Sequence, residues 1–129
     1  MKTGTISTID SSLIQQYSQD GVVCLRSVFS SDWIALAREG IARNLKHPGP
    51  FFRDHTSKNA TGRYVFDFWN WPNIPELEDF VFNSPAGAIS GQLMEARQST
   101  MIMDNWFMRE AGARDGAPWH HRPEAAGAK

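Results

Sequence analysis

A chain of 129 residues with a formal net charge of −1 is one domain's worth, long enough to bury a modest core and too evenly charged for an electrostatic nucleic-acid binder. No stretch approaches the ~20 apolar residues of a membrane span, and Met1-Lys2-Thr3-Gly4-Thr5-Ile6-Ser7 lacks the apolar core of a signal peptide, so a soluble cytoplasmic protein with no membrane or nucleic-acid partner is expected. The one cysteine, Cys24, lies in an apolar run, reads as a buried reduced thiol, and excludes an intrachain disulfide.

In chain order, Asp10 or Ser11 caps a short helix with Leu13, Ile14 and Tyr17 at helical spacing, and Asp20-Gly21 stops it. Val22 to Phe29, rich in β-branched and apolar residues, reads as a sheet strand. Ser30 or Ser31 then caps the clearest helix, Asp32 to about Lys46, with Asp32 near its positive end and Arg43 and Lys46 near its negative end. Trp33, Leu36, Ala37, Gly40, Ile41 and Leu45 form its core stripe. His47-Pro48-Gly49-Pro50 ends it, since proline removes a donor and restricts the residue before it.

Phe51 to Gly62 is uneven and polar, a long surface loop and a candidate flap over a substrate. Arg63 to Trp71 alternates as an extended segment, with a short helical piece as the other reading. Glu76 to about Phe82 reads as a short helix, and Ser84-Pro85 opens another to about Glu95 with Ile89, Leu93 and Met94 inside. Ser99 to Arg109 is the best strand: Met101, Met103, Asn105 and Phe107 share one face, Ile102, Asp104, Trp106 and Met108 the other, and either face can be the inner one. Ala111 to Ala117 is a loop, Pro118-Trp119 restarts extended chain, and residues 122–129 read as a solvated tail. Helices followed by strands make an α+β domain with helices on one face of an antiparallel sheet. The aromatics, five Trp and eight Phe, are not interleaved with Lys and Arg, so they read as core and cleft lining.

Tyr17-Ser18-Gln19-Asp20-Gly21-Val22-Val23-Cys24-Leu25-Arg26, Phe82-Asn83-Ser84-Pro85 with the helix after it, and Pro118-Trp119-His120 stand in an order and spacing that resembles the phytanoyl-CoA dioxygenase family of non-haem Fe(II)/2-oxoglutarate oxygenases. The resemblance runs from about Ile14 to His121 and implies the N-terminal helices and first strands of a double-stranded β-helix, within a single partial domain over residues 1–129. It implies an Fe(II)/2-oxoglutarate-dependent hydroxylation of a small molecule, with His120 as a metal ligand, Arg109 holding the 2-oxoglutarate carboxylate, and Asn105 with Trp106 at the pocket mouth. A solvated strand-end arginine and an ordinary core tryptophan are the other readings of Arg109 and Trp106. His121, next to His120 on extended chain, faces the other way.

Arg122 stands where the family has its Asp ligand, and a guanidinium offers only donors, so it cannot ligate a metal. The family's second His and distal Arg would fall beyond Lys129, so the chain is expected to be a truncated or frame-disrupted copy, inactive as it stands. Self-association through apolar surface left uncovered is the corresponding expectation. The alternative is a non-catalytic small-molecule- or protein-binding module on the same scaffold. Asp67 and Asp104 are carboxylates among apolar residues, open either to a functional cleft or to pairing with a nearby arginine.

Overall fold

A computed structural model describes residues 8–116. They form four α-helices, α1 (Ser11–Asp20), α2 (Ser31–Lys46), α3 (Pro75–Asn83) and α4 (Ala86–Leu93), and three strands, β1 (Arg53–Asp54), β2 (Tyr64–Phe68) and β3 (Asn105–Arg109), in the sheet order β1-β2-β3. Helices with a small antiparallel sheet make the α+β class, as expected from the sequence. The described residues divide into two compact units, residues 8–52 with 67–106, and residues 53–66 with 107–116.

The first unit holds the helices, and their ends follow the sequence. The Asp10 side chain accepts from the Ser12 amide at 2.8 Å, and Gly21 closes α1 at φ 71°, a left-handed conformation that glycine adopts without steric cost. Ser30 caps α2, its hydroxyl accepting from the Trp33 amide. The Ser84 hydroxyl accepts from the Ala86 amide ahead of α4, and Pro75 opens α3. α1 packs on α4, and α2 on α3. The α2–α3 approach is close because Gly40 has no side chain: a Cβ there would lie 2.8 Å from Leu77 Cδ2. Trp33, almost wholly buried, meets Phe80 edge-on with ring centroids 6.0 Å apart.

Arg43 on α2 forms an ion pair with Glu76 on α3, its Nε donating to Glu76 Oε2 at 3.0 Å. Asn44, buried on α2, accepts at Oδ1 from the Trp106 indole Nε1 at 2.8 Å. A buried indole N–H needs such a partner.

Four expectations are corrected by the fold. Val22–Phe29 is irregular, because no described segment offers it a ladder and Ser27 turns left-handed at φ 58°, breaking the extended run. Val22 is 67% exposed, and Cys24 is exposed rather than buried. The Ser99–Arg109 strand shortens to Asn105–Arg109, with residues 99–104 outside the ladder. The Phe51–Gly62 stretch is not loop throughout: Arg53 and Asp54 pair antiparallel with Phe66 and Val65.

Asp67 and Asp104 take neither of the roles foreseen for them. Asp67, fully buried, accepts from the Gly49 amide at 2.9 Å and from the Phe68 amide at 2.8 Å. Asp104 Oδ1 accepts from the amides of Asn70 at 2.9 Å and Trp71 at 3.3 Å. Both carboxylates hold backbone. Two atoms beside this arrangement, Asn70 Nδ2 and Asp104 Oδ2, are buried without a hydrogen-bond partner.

Candidate functional site

Within the second unit, the ladder decides which side chains share a surface. The Glu110 amide donates to Arg63 O at 2.9 Å; with antiparallel alternation this register sets Phe66 opposite Phe107 and Tyr64 opposite Arg109. Phe107 and Arg109 are exposed while Met108 between them is half-buried, so the alternation left undecided in the sequence resolves with Phe107 and Arg109 on the open side. Val65 on β2 is fully buried.

The open side is aromatic. Phe66 and Phe107 rings lie 5.3 Å apart, and His55 stacks on Phe66 at 5.2 Å with 8° between the planes. The His55 amide donates to Tyr64 O at 2.9 Å, which extends the β1–β2 pairing by one step and brings the imidazole over β2. From the sequence, His55 is expected in a surface loop. The signal for its position was weak, two strand residues whose polarity hides their pairing.

Two carboxylates flank this histidine electrostatically. Hydrogen bonds from Thr56 hold the Asp54 carboxyl below its usual range, with smaller contributions from Arg63 and His55. The Asp115 carboxyl is held below its usual range chiefly by a hydrogen bond from the Ser57 side chain, with smaller contributions from the Ser57 amide, which donates at 2.9 Å, and from His55.

Arg109 ends the strand. Its guanidinium is exposed, and its Nη2 donates to Ala113 O at a long 3.5 Å, which leaves most of its donors available. The turn after it is fixed by Glu110, whose carboxylate accepts from the Arg63 amide at 2.9 Å while its own amide bonds back to Arg63. Gly62 permits that approach: a Cβ there would sit 2.2 Å from Ala111 O.

The other residues singled out in the sequence fall elsewhere. Asn105 belongs to the first unit and is exposed on β3, whereas Trp106 is buried there, so its reading as core holds. His120, His121 and Arg122 lie outside the described residues.

Among the described residues, no group of three or more His, Cys, Asp and Glu side chains is placed to hold a metal ion. Asp67 and Asp104 are committed to backbone amides, so the described part does not fit an iron centre on its own. Among the described helices, none is long and apolar enough to cross a membrane. Compared with known proteins, the chain matches no family model, no curated protein and no solved structure.

Proposed function

We propose that this chain is built on a phytanoyl-CoA-dioxygenase-like scaffold, the first part of a double-stranded β-helix serving Fe(II)/2-oxoglutarate-dependent hydroxylation of a small molecule. The observation that carries this reading is Arg109: an exposed guanidinium at the end of β3, unencumbered by an ion pair among the described residues, next to an aromatic surface. A planar, permanently charged fork suits a keto-acid carboxylate. With Arg122 in the place of the Asp ligand, the proposal includes that this chain does not turn over 2-oxoglutarate by itself.

The test is a Co(II) titration of the full chain and its variants by visible absorption, beside a 2-oxoglutarate decarboxylation assay with Fe(II) and ascorbate. Arg122→Asp is expected to introduce weak Co(II) binding without turnover, and adding His120→Ala is expected to remove it. Identical titrations with and without His120 would overturn the assignment of that residue. Turnover by the unaltered chain, abolished by His120→Ala, would overturn the inactive reading.

A further inference from the structure

The first unit carries an apolar hollow of about 440 Å³ between the end of α3, α4 and the segment after it, lined by Phe80, Phe82, Gly87, Ser90, Met94 and Met101 among others. None of its lining residues is charged. Its size lies within the range of small-ligand pockets, and methionine walls adapt to irregular apolar shapes. Gly87 leaves the space open: a Cβ there would meet no atom within 4 Å.

A second hollow, about 370 Å³, adjoins it and shares Gly87 and Ser99 with it. At the shared border the Ser99 hydroxyl donates to Gly87 O at 3.3 Å. The lining of this second hollow includes Gln92, Glu95 and Arg97. Arg97 is exposed and makes no ion pair or hydrogen bond among the described residues. Gln92 is anchored through its Oε1, which accepts from the Ile9 amide at 2.8 Å, so its amide nitrogen remains a donor.

We infer that the two hollows form one site for an amphiphilic anion, with a compact apolar body between Phe82, Gly87 and Met101 and a carboxylate or sulfonate head at Arg97. An uncharged apolar chamber adjoining a hollow lined by a free guanidinium has charge complementarity for that class: a neutral body gains nothing from Arg97, and a cation is repelled by it. Glu95 on the same rim weakens the anion and sets a limit on affinity. The site lies in the first unit and stands independently of the dioxygenase reading, since neither His120 nor Arg109 takes part.

The experiment uses the full chain labelled at its methionine methyl groups, titrated with naphthalene-2-sulfonate, neutral 2-naphthol and the 2-naphthylmethylammonium cation. Met94 and Met101 are expected to shift with the sulfonate, with Met108 unmoved as an internal control. Arg97→Gln is expected to weaken the sulfonate about tenfold, the loss of one charge-assisted contact, and to leave 2-naphthol unchanged. Glu95→Gln is expected to tighten the sulfonate. Gly87→Leu fills the open space on a helix that tolerates it and is expected to abolish binding of the sulfonate and of the naphthol; an unchanged circular dichroism spectrum shows that the variant keeps its helices. Equal binding of the three probes, shifts spread alike over Met94, Met101 and Met108, or sulfonate binding that survives Gly87→Leu would each overturn the inference.

Discussion

Replacing Asn44 with leucine separates two opposite expectations. As a helix residue, leucine is better than asparagine by about 0.5 kcal/mol, and its side chain branches at the same atom, so propensity alone makes Asn44→Leu mildly stabilising. The hydrogen bond argues the other way. Asn44 is 1% and Trp106 8% exposed, and the indole Nε1 donates to Asn44 Oδ1 at 2.8 Å. Leucine leaves that N–H buried without an acceptor, which costs about 1–3 kcal/mol. The net expectation is a loss of about 1–2 kcal/mol, with Asn44→Ala worse because it also opens a cavity. Urea unfolding followed by far-ultraviolet circular dichroism measures it without depending on the tryptophan signal. Trp106→Phe completes a double-mutant cycle: the pair should cost less than the sum of the single changes by about 1 kcal/mol, because the orphaned donor is gone in the double variant. A stabilised Asn44→Leu, or single effects that add to within about 0.5 kcal/mol, would refute the reasoning.

Acidification acts on the Arg43–Glu76 pair in a definite direction. The hydrogen bond from Arg43 is the largest cause of the lowered Glu76 carboxyl, so its contribution is present above the unfolded value of about 4.3 and disappears as pH falls through the lower folded one; Glu76→Gln should flatten that part of a urea-midpoint profile, and an unchanged profile would refute the linkage. Asp104→Ala strips the amides of Asn70 and Trp71 of their acceptor, with an expected cost of about 2–3 kcal/mol, while Asp104→Asn keeps the Oδ1 acceptor and should cost less; hydrogen exchange at those two amides distinguishes the cases, and equal protection in both variants would refute the anchor. Self-association should grow with concentration in sedimentation experiments and fall in an Ile102→Lys variant, since Ile102 is 79% exposed beside exposed Met101 and Met103; a monomer at every concentration would refute it.

Helix positions were legible in the sequence because their signals are local. Asp10, Ser30, Gly21 and the Pro48 region act on neighbouring backbone, and the Trp33-to-Leu45 stripe needs only its own spacing to identify a buried face. The strands were less legible, since a strand is stable only through a neighbour. Val22–Phe29 has the composition of one but no described ladder partner, whereas Arg53–Asp54 has an unpromising composition and pairs with Val65 and Phe66. Arg109 and Asn105, both singled out in the sequence, are exposed on β3, Arg109 in the second unit and Asn105 in the first. His55 over Phe66 was not identifiable, because its place depends on the β1–β2 register. Asn44 falls on the apolar stripe four residues after Gly40, and a polar residue at such a place is itself the signal of a partner.

Asp67 is an unusual choice for a central strand position, and its hydrogen bonds explain why an apolar residue would not serve there. Its Oδ2 accepts from the Gly49 amide at 2.9 Å and its Oδ1 from the Phe68 amide at 2.8 Å, so the carboxylate joins β2 to the turn that ends α2. Gly49 itself has no room for a side chain, since a Cβ would lie 2.1 Å from Asn70 Oδ1. In the same unit, the Trp69 amide donates to Asp104 O at 3.1 Å while the Asp104 side chain accepts from Asn70 and Trp71. Sliding β2 by one residue would turn Asp67 to the opposite face and bury Phe68 in its place, leaving the Gly49 amide without an acceptor. The buried Asp67 carboxylate on the Gly49 amide therefore fixes the register of β2, where alternating aromatics on both sides of it would leave it weakly determined.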